Sequence, residues 1–352
     1  MRAEQQYLEL FDKERDTLFR HSCDTLNARR DLDTRGFPTY HDERCKYTDV
    51  ASAFAPDYGL NLSRIVPSVD PYAAYRCQVP NLSTSLYFVV NDCVMPPSGT
   101  NAPLPDGVTL CSMLEAARRC PDLLDAHYGQ LADTAADGIT ALNTMIAQDG
   151  LFIHVAAGVK CARPIQIVNV SAAQIDLLST RRVLIIVEPG AELSLLFCDH
   201  SDDRHSYVTT QVVETFVGHD ARLNLYSIEE THSGNKRFSH LYADQKDNSR
   251  LTLGSITLMA GLTRNRTDIR LTGQGAEACA YGCVVADGKE HVDNNLLVEH
   301  AAEGCTSDLL YKYVLDGRAV GAFAGHILVR QDAQHTVSNE TNANLWASPD
   351  AR

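Results

Sequence analysis

The stretch Lys289-Glu290-His291-Val292-Asp293-Asn294-Asn295-Leu296-Leu297-Val298-Glu299-His300 gathers imidazole, carboxylate and amide groups into one short run. In an extended strand alternate side chains share a face. Val292, Leu296, Val298 and His300 then lie on one side, and His291, Asp293, Asn295 and Glu299 on the other. His300 falls on the apolar side. A histidine there is either a hydrogen-bonded core residue or an interior ligand and proton-handling site. Cys305 opens the next extended run and could approach it. His300 and Cys305 are the metal-site candidates the sequence offers; no catalytic or cofactor-binding residue is assigned.

Other chemistry-bearing patterns read as structure. His200 and His205 flank Ser201-Asp202-Asp203-Arg204, a polar turn that fits a solvated loop better than a metal site. Gly273-Gln274-Gly275-Ala276-Glu277-Ala278 matches a dinucleotide fingerprint, but that motif needs a helix N-terminus to hold the pyrophosphate. Cys279-Ala280-Tyr281-Gly282-Cys283-Val284-Val285 follows instead, and it is strand-like. No G-x-x-x-x-G-K-[ST], H-E-x-x-H or G-x-S-x-G pattern occurs. Paired carboxylates on successive coils, as glycoside chemistry would use, stay open on these patterns alone.

Composition narrows the classes. Of 352 residues 44% are hydrophobic, and 31 basic against 45 acidic residues give a net charge of −14. Such a balance disfavours nucleic acid, whose phosphates need a basic face. The eleven cysteines form no C-x-x-C, so they read as reduced thiols of a cytoplasmic chain, used as small apolar residues. Residues 1–20 are charged throughout and offer no export signal, and the apolar runs are far too short for a membrane span. Four N-x-[ST] sequons, at Asn81, Asn169, Asn265 and Asn339, then read as chance matches.

The elements that must position these residues divide the chain at about residue 150. Before it the sequence reads as helical and irregular: an amphipathic helix over 3–30, a proline-rich extended stretch with one strand at Leu86–Val90, a helix opened by a capping box at Ser112 and Glu115 and divided at Pro121, and a helix over 133–147. From Leu151 to the end the pattern changes to short runs rich in Val, Ile, Leu, Thr and Tyr, with no helical period between them. Strands are expected at 151–156, 164–170, 182–187, 192–198, 206–217, 221–229, 236–243, 249–258, 264–271, 276–285, 290–300, 305–315 and 319–329.

This region repeats. Gly190-Ala191, Asp220-Ala221, Asn248-Ser249 and Gly275-Ala276 each pair a turn residue with a small one, and each is followed by alternation; the small residues are 30, 28 and 27 apart. A period of this size is the signature of a solenoid. The fold expected is mainly β: a right-handed parallel β-helix over 151–352 behind an N-terminal helical and irregular domain over 1–150. A β-sandwich with regular turns is the competing architecture.

The same residues resemble the SufB/SufD family of iron–sulfur cluster assembly proteins. The pieces that match run in order: Arg35-Gly36-Phe37-Pro38-Thr39, then Glu43-Arg44-Cys45-Lys46-Tyr47-Thr48-Asp49, then Leu142-Asn143-Thr144 with Asp149 to Val155. Further on come Leu271 to Ala276, His291-Val292-Asp293 with His300, Cys305-Thr306-Ser307 before Tyr311-Lys312, Phe323 to Val329, Ala333 to Thr336, and Asn342 to Leu345. Cys45 stands where the family usually has Trp, His335 where Lys is common, and Trp346 where Leu is common. The N-terminal segment looks more like SufD than SufB. The family's D-V-x-x-x-H-G strand and C-terminal helices are absent before Arg352, so a C-terminally truncated chain is expected.

The resemblance implies a non-catalytic scaffold, pairing with a SufB-like paralogue and a SufC-like ATPase whose binding region would be missing here. It implies a homodimer in isolation, no cluster held stably by this chain alone, and a cluster assembled in the complex. Two rivals are a β-helix enzyme acting on an acidic polysaccharide, disfavoured by the net charge and by the missing export signal, and a generic solenoid adaptor for another protein.

Overall fold

The computed structural model describes residues 2–16, 18, 25–63, 65, 71, 85–97, 103–202 and 204–352. Asn81, Cys23, Cys77, the middle of the helix expected over 3–30 and much of the proline-rich stretch lie outside them. That expected helix is two: α1, Gln5–Glu14, and α2, Thr25–Arg35. A short helix α3, Val50–Phe54, follows. Then come three strands, β1 (Ser85–Val90), β2 (Cys93–Val94) and β3 (Val108–Ser112). Helices α4 (Met113–Arg119) and α5 (Pro121–His127) are divided at Pro121, and the Ser112 side chain caps α4 by accepting from the Glu115 N–H. Helix α6 spans Gly138–Ile146, not 133–147, because Asp137 is its cap and accepts from the N–H groups of Ile139 and Thr140.

The strands continue as β4 (Leu151–Val155), β5 (Ile165–Ser171), β6 (Leu177–Val187), β7 (Glu192–Ser201), β8 (Tyr207–Val217), β9 (Arg222–Glu230) and β10 (Lys236–Gln245). After them come β11 (Arg250–Met259), β12 (Leu262–Leu271), β13 (Glu277–Ala286), β14 (His291–His300), β15 (Thr306–Leu315), β16 (Val320–Val329) and β17 (Val337–Trp346). Each expected strand is present within a few residues, except that β6 starts at Leu177, five residues ahead of the expected 182. Strand β17 was not expected; Ser338-Asn339-Glu340-Thr341-Asn342 carries no apolar alternation to mark it.

The odd-numbered strands from β5 on, with β1 and β2, build one sheet, in the order β17-β15-β13-β11-β9-β7-β5-β1-β2, and the even-numbered strands from β4 on, with β3, build the other, β16-β14-β12-β10-β8-β6-β4-β3; these are called the odd and even sheets. From β4 on, the chain alternates between the sheets and every pairing among β4 to β17 is parallel, while β3 joins β4 antiparallel. This is a parallel β-solenoid of about seven turns. The β-sandwich alternative fails, since sandwich strands pair antiparallel.

The repeat read from the sequence is one corner of the solenoid. Gly190, Asp220, Asn248, Gly275, Gly304 and His335 all have positive φ. Their N–H groups climb a ladder: Gly190 donates to His219 O, Asp220 to Asp247 O, Asn248 to Gln274 O, Gly275 to Glu303 O and Gly304 to Gln334 O. The following residues, Ala191, Ala221, Ser249, Ala276 and Cys305, stack fully buried beneath that ladder. Only a small side chain fits there, which explains the spacing of the small residues.

Between the sheets lies an apolar core. Leu193, Leu195, Leu223, Leu251 and Leu309 of the odd sheet face Val183, Ile185, Val213, Ile269 and Val298 of the even sheet. Each such side chain contributes about 1.5–3 kcal/mol by leaving water. A second core joins the helices to the outer face of the even sheet, through Tyr7, Phe37, Phe54, Leu142, Leu178, Val208 and Phe238.

Candidate functional site

His300 sits where the alternation places it, inside the solenoid and fully buried. Its Nε2 lies 2.9 Å from Ser307 Oγ, which lies 2.6 Å from Ser338 Oγ. Its Nδ1 is buried with no hydrogen-bond partner. Burial pushes the imidazole pKa down, so the ring is neutral near pH 7. Cys305 is a member of the corner stack. Its thiol donates to Gly273 O at 3.3 Å, and burial raises its pKa, which keeps it protonated and a poor ligand or nucleophile. The two candidates thus have separate partners. The nine described cysteines are free thiols. Among the described residues no three His, Cys, Asp or Glu side chains converge as metal ligands.

The opposite face of β14 is the more elaborate one. Its polar groups are not solvated: Asp293 and Asn295 are almost completely buried, because the N-terminal region docks on them. Arg44 grips Asp268 with both terminal nitrogens, at 3.1 and 2.5 Å, while its Nε donates to Asn295 Oδ1 at 2.5 Å. Thr48 Oγ1 donates to Asp293 Oδ2 at 2.6 Å and lies 3.4 Å from His291 Nε2. Burial lowers the His291 pKa, against the pull of Asp293. Arg264 answers from the sheet: its Nη2 donates to Arg44 O at 2.6 Å, and its Nε lies 3.6 Å from Asp293.

Deeper in the interface Asp137 has two roles. Its Oδ1 caps α6, and its Oδ2 accepts from Arg266 Nη1 at 3.0 Å. Burial opposes its ionisation, but His240, Arg266, Arg264 and the Thr140 N–H outweigh burial and hold the carboxyl well below the usual range. His240 is fully buried beside it: Nδ1 lies 2.9 Å from Thr140 Oγ1 and 3.5 Å from Asp137 Oδ1, and Nε2 lies 3.3 Å from Arg264 Nη1. Burial lowers its pKa to about 3 despite Asp137. The ring is therefore neutral, with Nε2 facing a donor and Nδ1 carrying the proton.

A third seat belongs to Glu214. Its carboxylate accepts from the N–H groups of Gly129, Leu131 and Ala132 at 2.8, 2.8 and 3.1 Å and from Arg182 at 2.5 Å. Beside it Asn143 Nδ2 donates to Arg181 O and to Thr210 O, which pins α6. All these carboxylates are matched by guanidinium or N–H donors. The arrangement positions one part of the chain on another.

Of these clamp residues, Arg44 and Thr48 lie in Glu43 to Asp49 and Asn143 in Leu142 to Thr144, two of the segments that carry the resemblance. A family model for the SufBD protein N-terminal region matches residues 1–167, and one for the SufBD core domain of SUF-system iron–sulfur cluster assembly matches residues 169–352. The chain belongs to the SufBD family.

Among its relatives, an iron–sulfur cluster assembly SufBD family protein of Synechocystis sp. is 23% identical over 331 residues, covering 90% of this chain and 71% of the relative. A chloroplastic SufBD family protein of Arabidopsis thaliana is 21% identical over 250 residues, 67% of this chain and 44% of the relative. One from Mycobacterium leprae is 30% identical over 151 residues, 41% of this chain and 38% of the relative. The chain thus spans less than half the length of two of these SufBD relatives. Membership ties the protein to iron–sulfur cluster assembly. No helix among its described residues is long and apolar enough to cross a membrane.

Proposed function

We propose that this chain is a SufD-like, non-catalytic scaffold subunit of a cytoplasmic iron–sulfur assembly complex, pairing with a SufB-like paralogue and a SufC-like ATPase. The observation that carries the reading is the pair of SufBD family models that match the chain in order, 1–167 and then 169–352. The sequence contains no nucleotide-cradling G-x-x-x-x-G-K-[ST], so ATP hydrolysis falls to the partner in this reading. The cluster is cargo, assembled in the complex and not held by this chain alone. In isolation the chain is a homodimer.

Two structural features support a scaffold role. The interface charges are spent on holding the N-terminal region to the solenoid. The outer face of the odd sheet leaves Tyr226, Ile256, Tyr281 and Val314 exposed, an apolar area of the kind protein partners cover.

The test is co-expression with the SufB-like and SufC-like proteins of the same cell. Co-elution of all three, with ATPase activity raised above that of the isolated ATPase, is expected. Turnover of a sugar polymer by the lone chain, with no retention of either partner, would overturn the reading. Sedimentation at high concentration checks the homodimer, and a monomer alone would remove that part.

A further inference from the structure

The solenoid core is not apolar throughout. Midway along the strands the inward positions turn polar, and between the two sheets lies a partly open cavity of about 80 Å³. Gln211, Arg237 and Ser239 line it from the even sheet, and Ser227, Ser255 and Tyr311 from the odd sheet. Gln211 and Arg237 are both more than nine-tenths buried, yet Gln211 Oε1 and Arg237 Nε have no hydrogen-bond partner in the protein. A neighbouring cavity of about 10 Å³ shares Gln211 and Phe197 in its wall and is lined also by Asn169 and Arg181. Asn169 Nδ2, again buried, has no partner either.

Orphaned polar groups facing a void are the setting in which water is retained, whereas purely apolar voids stay empty. A void needs roughly 10–15 Å³ for one water, so the larger cavity has room for several molecules and the smaller for one. The ligand is water and not an ion, because the layer's charges match. Arg181 pairs with Asp199 at 2.9 Å, and Arg237 lies 3.3 Å from Asp199 and 3.7 Å from Glu229. Arg181 and Arg237 face Asp199 and Glu229, and the further carboxyl in the smaller cavity's wall, Asp92, is pushed toward its neutral form by burial.

We propose that the lumen of this solenoid is a hydrated chamber, with a cluster of bound waters on Gln211 Oε1 and Arg237 Nε and a single water on Asn169 Nδ2. The water completes the hydrogen bonds of a charged layer that the side chains alone leave open. It makes the middle of the core a polar bridge between two apolar ends.

Oxygen-17 magnetic relaxation dispersion of the full chain counts waters held longer than the tumbling time. Several such waters are expected, and fewer in Gln211→Leu, which removes the acceptor common to both cavities. A dispersion no larger than that of surface water, or one unchanged in Gln211→Leu, would overturn the proposal. Should Gln211→Leu fail to fold, a high-resolution crystal structure of the unaltered chain decides. Water peaks within 3.2 Å of Gln211 Oε1 and Arg237 Nε are the expected result. Collapsed walls, xenon occupancy under pressure, or an anomalous bromide peak from a bromide soak would each sink the idea, the last by replacing water with an anion.

Discussion

Tyr311 lies across strand β13 at Gly282, and a Cβ at that glycine would overlap the tyrosine ring. The ring is buried, its hydroxyl is near Ser255 two strands away in the odd sheet, and its centroid is 4.8 Å from that of Phe323. Tyr311 therefore bridges three strands of one sheet and touches the other. Gly282 is present because of that crossing, and its backbone angle plays no part.

Gly282→Ala should destabilise the chain by about 1–3 kcal/mol, the usual cost of overpacking a filled core. Urea unfolding measures it. Tyr311→Leu should lose the ring's contacts alone, and the double variant should be more stable than the sum of the two single losses implies. Strict additivity would show that the two residues do not share the space.

The Asp137–His240 pair predicts an acid-sensitive interface. The folded imidazole has a pKa of about 3, below its unfolded value of about 6.5. The unfolded state therefore binds the proton first as pH falls. The stability His240 supports is complete above about pH 6.5 and is lost progressively between there and about pH 3. Asp137, also held low, adds its own loss under more acidic conditions. Unfolding followed from pH 7 to pH 4 should show this decline, with Arg264, Arg266, Asp268, Thr140 and Tyr242 as the groups around the ring. His240→Gln should flatten the slope while lowering stability at pH 7. An unchanged slope in that variant would assign the acid sensitivity elsewhere.

How far the fold was legible follows from which residues obey simple patterns. The corner residues Gly190, Asp220, Asn248 and Gly275 were readable because a left-handed backbone selects Gly, Asn and Asp, and all four have positive φ. The first half of β6 was not: the expected strand began at 182, yet Leu177 to Arg181 belong to it as well, and Arg181 and Arg182 are almost completely buried against Asp199 and Glu214. The alternation placed His300 on the correct face. What it missed was the use of the other face. Asp293 and Asn295 are satisfied by Thr48 and Arg44, some 245 and 251 residues away, and no local pattern reports such a partner. The one available signal was that Arg44 and Thr48 lie in the segment carrying the family resemblance.

The corner ladder makes a prediction about backbone conformation. Asn248 holds φ at 53° while its N–H donates to Gln274 O at 2.9 Å. Asn248→Gly should be neutral or slightly stabilising, because glycine adopts this region freely. Asn248→Val should cost about 1–3 kcal/mol, because a β-branched residue is strained there. Equal stability of the two variants, by thermal unfolding, would mean that the turn relaxes and the ladder does not enforce it.

Arg44 tests whether the N-terminal region is held by charge or by its apolar contacts. Its bidentate grip on Asp268 and its bond to Asn295 are the main polar links from the Glu43–Cys45 turn to the solenoid. Arg44→Ala leaves Asp268 with Arg266 at 2.8 Å, so that carboxylate is not stranded. Asn295 loses the donor to its Oδ1. The expected loss is about 1–3 kcal/mol, the range for leaving a buried acceptor unsatisfied. Arg44→Lys should recover little, because an ammonium cannot make the planar two-point contact. The apolar seat of Phe37, Phe54 and Phe238 is untouched, so the loss should be local. Amide hydrogen exchange should speed up across residues 36–54 and stay unchanged in β10 to β14. Faster exchange throughout the solenoid would mean that the interface and the coil stack unfold as one unit, and that Arg44 holds the whole chain rather than the docked segment.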